Sequence, residues 1–283
     1  MKQNGYNLLF ELTQKCNLNC EYCFYRDYGR SPSELNFGQF QEIIDKYEHM
    51  NNIYFTGGEC TLATDFVRII QLAKMRANVS IFTNGLTIIN DVFYDDIDKY
   101  IDNYIVTLDS FRSDYKCRLN TESTMETIKK IAKNSPNKLI VKICINKYNL
   151  SNLELTIQEL IALGVKKISI NFVHNIQSNN INFELSKNEL EKVFCTLDKY
   201  KSHLFINFYD KIKDFYLNGD HSVERYCCAG KSFYYYDCQA NKRDCPAEYC
   251  EDRNCLTKEC ISIFEMFEED DNEYSIWRDK WCR

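Results

Sequence analysis

Between residues 7 and 200, short apolar or β-branched runs alternate with stretches whose apolar positions recur at helical spacing. NLLFEL (7–12) precedes FGQFQEIIDKYEHM (37–50), and NIYF (52–55) precedes DFVRIIQLAKM (65–75). VSIF (79–82) leads into a helical stretch at 90–100, and YIVTL (104–108) into STMETIKKIAK (123–133). LIVKICI (139–145) leads into NLELTIQELIALG (152–164), and KISINF (167–172) into SKNELEKVFCTLDKY (186–200). Strands separated by helical crossovers predict a parallel sheet, either doubly wound or a barrel. A full barrel needs eight such units, and the six seen here fit a partial one. The rhythm stops after about residue 201, which places a boundary at 201–215 and divides the chain into 1–205 and 206–283.

In parallel α/β folds, ligands gather at the C-terminal strand ends. The polar and glycine-bearing segments fall there. A cysteine-rich stretch follows the first predicted strand, TGGEC (56–60) the second and TNG (83–85) the third. LDS (108–110) follows the fourth and Asn146 the fifth. One glycine pair after a strand is weak evidence, because tight turns also need glycine. Five strand ends in register carry more.

Composition narrows the setting. The 283 residues are 45% hydrophobic and 27% charged, with three prolines and nine glycines, as expected of a globular chain without long linkers. A net charge of −6 gives no basic footprint for nucleic acid. No apolar run approaches the roughly 20 residues of a membrane span, and MKQNGYNLLFELTQ lacks a signal-peptide core. A cytoplasmic, thiol-reducing location is therefore expected.

Fifteen cysteines change the picture. In a reducing compartment, clustered cysteines indicate metal before disulfides. QKCNLNCEYCF (14–24) holds three, at 16, 20 and 23, whereas a structural zinc site wants four ligands and a disulfide framework an even number. An iron–sulfur cube has four irons ligated by thiolates, so three cysteines leave one iron open to a small ligand. A zinc knuckle borrowing a fourth ligand from elsewhere is the competing reading.

The spacing C-x-x-x-C-x-x-C, with the downstream strand-end motifs, resembles the radical S-adenosylmethionine (SAM) superfamily. The resemblance implies a partial (β/α)6 TIM barrel in which Cys16, Cys20 and Cys23 hold a 4Fe–4S cluster. SAM would chelate its open iron and be split to methionine and a 5′-deoxyadenosyl radical. Tyr22 matches the aromatic before the last cysteine, and Gly57, Gly58 and Glu59 the segment that receives the SAM ammonium. Thr83 and Asn84 resemble the third-strand lining of the SAM pocket, with Asp109 on the fourth-strand loop. Arg118 resembles an arginine that pairs with the SAM carboxylate, and Asn146 is a candidate for the ribose. Cys60 departs from the pattern, standing where proline commonly follows the glutamate. Without ligands, Glu59 reads as a solvated loop carboxylate, Arg118 as a helix-start residue, and Asp109 and Asn146 as turn formers. Cys117, Cys144 and Cys195 read as buried small hydrophobes.

The tail carries Cys227, Cys228, Cys238, Cys245, Cys250, Cys255, Cys260 and Cys282. This order resembles the SPASM extension, a carrier of auxiliary iron–sulfur clusters in peptide-modifying radical SAM enzymes. It implies one cluster on Cys227, Cys228, Cys238 and Cys260 and another on Cys245, Cys250, Cys255 and Cys282. One cluster with spare thiols, or zinc, are the alternatives.

The resemblance implies a cytoplasmic maturase that abstracts hydrogen from a ribosomally made peptide. It would install a thioether, a carbon–carbon cross-link or an epimerised residue, with Cys117 the candidate hydrogen donor for the last. The implied partners are a peptide or protein substrate and an electron donor of the flavodoxin or ferredoxin type. No peptide-binding domain is expected ahead of the barrel, so another surface or a separate protein would recognise a leader. The rival readings are a sulfatase-maturating, formylglycine-generating type of enzyme and a non-catalytic iron–sulfur or zinc protein.

Overall fold

The computed structural model describes residues 5–244 apart from 24, 26–29, 113, 114, 116, 174–180, 206–208, 221 and 223–227. The six strand-and-helix units lie where the hydrophobic pattern puts them, except that the first helix stops at Ile44 rather than 50, Met50 already belonging to the second strand. The strands are β1 (Tyr6–Thr13), β2 (Met50–Gly57), β3 (Asn78–Thr83), β4 (Asn103–Thr107), β5 (Leu139–Ile145) and β6 (Ile168–Phe172). The helices that follow them are α1 (Phe37–Ile44), α2 (Phe66–Lys74), α3 (Asp91–Asp98), α4 (Thr121–Asn134), α5 (Leu153–Ala162) and α6 (Lys187–Lys199). Capping boxes start α1, from Asn36 and Gln39, and α6, from Ser186 and Glu189. At α1 two backbone donors that a helix start leaves open are satisfied reciprocally, and at α6 the Glu189 carboxylate accepts the Ser186 N–H at 2.8 Å.

The sheet has eight strands in the order β6-β5-β4-β3-β2-β1-β7-β8. Strands β1 to β7 pair in parallel, and only the short β8 (Lys242–Arg243) is antiparallel. This parallel-dominated α/β architecture is the expected partial barrel. Side-chain alternation gives the sheet two different faces. Leu8, Phe10 and Leu12 of β1 join Phe40, Ile43 and Ile44 of α1 in the main core. Leu9, pointing the other way, packs with Phe233 and Tyr235, and with Tyr54 and Phe82 alongside.

Three elements beyond residue 205 are not anticipated by the pattern: α7 (Tyr209–Asn218), β7 (Phe233–Tyr236) and the two-residue β8. FYYY is four residues long and sits among cysteines and turn residues, so its alternation is too brief to read. Its register runs from Asn7↔Phe233 to Phe10↔Tyr236. Tyr236 stacks on Phe10 with centroids 5.2 Å apart, and its hydroxyl meets that of Tyr47 at 2.7 Å. The first part of the tail is therefore an edge of the barrel sheet.

Cys117 is buried as expected, and Cys144 is partly so. Cys195 is exposed, against expectation. The buried stripe of α6 is Leu190, Val193, Phe194 and Leu197, which leaves position 195 on the solvent side.

Candidate functional site

Parallel pairing brings the C-terminal ends of β1 to β6 to one rim, and the cysteine loop after β1 lies across it. A glycine pair lets the loop dock. Gly58 N–H donates to Thr13 O and Glu59 N–H to Lys15 O, both at 2.8 Å. Gly57 has φ +146°, and a Cβ on it would lie 2.1 Å from Thr13 O. A Cβ on Gly58 would lie 2.4 Å from Lys15 O and 2.6 Å from Gln14 O. Any side chain at either position would lift the cysteine loop off β2.

Glu59 ties β2 to β3. Its carboxylate is buried, accepting the hydroxyls of Thr61 at 2.7 Å and Thr83 at 2.8 Å and the Asn84 N–H at 2.7 Å. Burial raises its pKa above the ordinary value, against the pull of those donors. It is not the solvated loop carboxylate that its sequence also allowed. Asn84 passes the connection on: its side-chain amide donates to Asn17 Oδ1 at 2.7 Å and lies 3.9 Å from Cys16 Sγ. Cys60 opens a short 3-10 turn and directs its thiol to Phe82 O at 3.3 Å.

Across the loop, Tyr22, Asp109 and Arg118 form a second group. The Tyr22 hydroxyl donates to Asp109 Oδ2, while Asp109 Oδ1 accepts the Cys144 N–H at 3.1 Å. Arg118 Nη1 lies 3.4 Å from the Tyr22 hydroxyl and 3.9 Å from Cys20 Sγ. Burial raises the Asp109 pKa, and Arg118 and Tyr22 oppose it. Burial likewise pushes Cys20 up to about 11, with Arg118 partly offsetting it. Arg118 is only 8% exposed, yet its Nε has no hydrogen-bond partner among the described residues. A buried guanidinium with an unmet donor beside a cysteine loop fits an anionic guest such as a carboxylate.

Asn146 lies on the same rim with its polar groups used locally. Its amide donates to the Tyr115 hydroxyl at 2.8 Å, and its Oδ1 accepts the Tyr148 N–H at 2.9 Å. That is the turn-forming role the sequence also allowed. Cys117 packs with Tyr115 and Phe183, whereas Cys144 borders Asp109.

Among the described residues, no three His, Cys, Asp or Glu side chains gather tightly enough to hold one metal ion. A mononuclear zinc site, with Zn–S near 2.3 Å, would draw thiolates to about 3.8 Å from one another. Thiols spaced along a loop suit a multi-iron cluster, whose corners are separate ligand positions. Of the tail cysteines, Cys228 and Cys238 are described and buried. Cys227, Cys245, Cys250, Cys255, Cys260 and Cys282 lie outside the described residues. Burial, together with the Glu11 carboxylate, pushes the Cys238 thiol up to about 12.

Several contributors were missed from the sequence. Asn17 and Asn149 sit in polar loops where nothing marks them. Asn149 donates to Asp109 O at 2.9 Å and so holds the β4 and β5 loops together. Glu11 did leave a signal, being a lone acidic residue inside the apolar run NLLFEL. Its alternation with Leu8, Phe10 and Leu12 puts it on the face opposite the helices.

A family model described as the radical SAM superfamily matches residues 10–160. Mycofactocin maturase MftC of Mycobacterium ulcerans is 39% identical over 84 residues, which is 29% of this chain and 23% of that protein. An S-adenosylmethionine-dependent nucleotide dehydratase of Selenomonas ruminantium is 37% identical over 91 residues, covering 30% of this chain and 32% of that one. The matches thus span at most about a third of either relative's length. Among solved structures, Streptococcus suis SuiB bound to precursor peptide SuiA superposes with TM-score 0.67 at 14% identity, covering 96% of this chain and 66% of that one. The matched region contains the cysteine loop, the glycine-glycine-glutamate segment and the rim residues from Thr83 to Asn146, and the chain belongs to the radical SAM superfamily.

Proposed function

We propose that the chain is a SAM-dependent radical enzyme that modifies a ribosomally made peptide, with the barrel's six strand-and-helix units at 1–205 and a cluster-bearing tail at 206–283 that lends β7 to the barrel sheet. The observation that carries this reading is the convergence of the cysteine loop, Glu59, Asn84 and the Tyr22–Asp109–Arg118 group on one rim. Cys16, Cys20 and Cys23 would hold a 4Fe–4S cluster and Arg118 the carboxylate of SAM. When bound, this pair supplies one-electron cleavage of SAM to a hydrogen-abstracting radical.

The chain's own residues bind, orient and exclude water. Gly57 and Gly58 set the height of the loop over β2, and Glu59 fixes the end of β3 against it. With Thr61, Thr83 and Asn84 as donors, the Glu59 carboxylate is already oriented, so an ammonium would meet a fixed acceptor. Tyr22 and Asp109 hold Arg118 in place. Cys228 and Cys238 would belong to an auxiliary cluster able to accept the electron left after bond formation.

The peptide assignment draws on the maturase relative and the peptide-bound structural neighbour; the nucleotide dehydratase favours a small-molecule substrate instead. Anaerobically reconstituted, dithionite-reduced protein is expected to convert SAM to 5′-deoxyadenosine. Replacing Cys16, Cys20 and Cys23 by Ala should abolish this while iron on the tail remains. Continued cleavage by the folded triple variant would overturn the assignment.

A further inference from the structure

The β7–β8 hairpin meets the cysteine loop at the Glu11 carboxylate. Glu11 is fully buried near the end of β1. Its Oε1 accepts the Tyr25 hydroxyl. Its Oε2 accepts the Gln14 side-chain amide at 3.4 Å and the Cys238 backbone N–H at 3.2 Å. Gln14 and Tyr25 flank the three loop cysteines, one on each side. Cys238 stands at the tip of the hairpin, in a turn built separately by Asp237. That carboxylate accepts the Gln239 N–H at 3.0 Å, the Asn241 N–H at 2.9 Å and Arg243 Nη2 at 3.2 Å. One side chain therefore grips both shoulders of the cysteine loop and the tip of a hairpin 227 residues away in sequence.

From this geometry we propose that Glu11 is a positioning residue that couples the cysteine loop to the Cys238 turn, so that order imposed on one is felt by the other. The physical basis is the economy of a buried carboxylate. Its two oxygens are engaged by three neutral donors, and a buried donor that loses its acceptor goes unsolvated. Movement of either shoulder of the loop rotates the carboxylate, and the Cys238 N–H must follow or be left unmet. Filling the loop with its cluster would thereby lock the turn that presents Cys238. The functional meaning rests on Cys238 serving an auxiliary cluster; the mechanical link does not.

The test reads Cys238 directly. Metal-free protein is labelled with iodoacetamide, and alkylation of Cys238 is followed by peptide mass spectrometry, with hydrogen exchange of β3 to β5 reporting global folding. Glu11→Ala is expected to raise the Cys238 labelling rate about tenfold by favouring local opening of the hairpin, and Glu11→Gln to restore it in part. Tyr25→Phe, which removes the hydroxyl that Glu11 accepts from the loop side, is expected to raise it about threefold, because the shoulder and the turn share one acceptor. In the wild type, reconstitution with iron and sulfide should slow labelling, and in Glu11→Gln that protection should shrink. Unchanged labelling in folded Tyr25→Phe, with or without a change in Glu11→Ala, overturns the coupling. If Glu11→Ala unfolds globally, Glu11→Gln and Tyr25→Phe carry the test. Iron content of Cys238→Ala is measured in parallel: undiminished iron removes Cys238 from the proposed cluster and leaves the labelling result to stand by itself.

Discussion

Glu59 accepts the Thr83 hydroxyl at 2.8 Å, so the carboxylate that ends one strand fastens the end of the next. The same carboxylate takes the Asn84 N–H, whose side chain reaches the cysteine loop. Glu59→Ala would strip four donors of a buried acceptor, the Thr61 N–H included, and is expected to destabilise the fold by about 2–4 kcal/mol. It should also weaken SAM binding, measured by equilibrium dialysis on reconstituted protein. Glu59→Gln, which keeps one oxygen acceptor, should recover most of the stability and less of the binding. Unchanged SAM affinity in Glu59→Ala would confine the residue to scaffolding.

Gly58→Ala tests the docking of the loop. The new Cβ would stand 2.4 Å from Lys15 O, a contact that only backbone displacement can relieve. A folded protein with reduced iron per chain after reconstitution is expected, with the loss greater in Gly57→Ala, where a positive φ adds strain. Full iron in Gly57→Ala would mean the loop tolerates lifting.

Arg118 has a separate signature. Its guanidinium opposes the burial that raises the Asp109 pKa, so Arg118→Met should raise that pKa further. The variant is expected to lose SAM affinity by at least about tenfold, the worth of one charge-assisted pair. Adding Asp109→Asn should recover stability without recovering SAM binding. Recovery of both would make the arginine's role purely structural.

Glu34 gives a pH dependence away from the thiols. It pairs with Lys15 at 2.9 Å and accepts the Thr64 hydroxyl at 2.7 Å. Partial burial pushes its pKa up, but the bonds from Lys15 and Thr64 outweigh that and leave it at about 2, against an ordinary value of 4.5. The folded value lies below the unfolded one. Its contribution is therefore complete above about pH 4.5 and disappears as the pH falls toward 2. With Lys15 more than half exposed, Glu34→Gln should cost about 1 kcal/mol at pH 7. Urea-melt stabilities of the two proteins should converge near pH 2 to 3; a constant gap would place the effect in packing.

The six units were legible because each strand is a compact apolar run and each helix an amphipathic one, both long enough to show their period. The rim residues were legible because strand ends are where such sheets place polar chemistry. What stayed hidden was mutual geometry. Nothing in the order of residues says that Gly57 is glycine because Thr13 O lies against it, or that Asn146 spends its amide on Tyr115. β7 was hidden for another reason: four residues cannot display an alternation, and their partner is β1, far off in sequence.

That pairing has a consequence for how the molecule comes into being. β1 is synthesised before the strands on either side of it, and β2 soon covers one edge, while the other waits for Phe233–Tyr236. Until Phe233–Tyr236 have been made, the strand that carries the cysteine loop presents a bare hydrogen-bonding edge, a template for wrong pairing. Closing it is a contact of very long sequence range, the slow kind in folding. Truncation before residue 233 should therefore yield a chain that aggregates through β1, and cluster loading in the cell should await release of the finished tail.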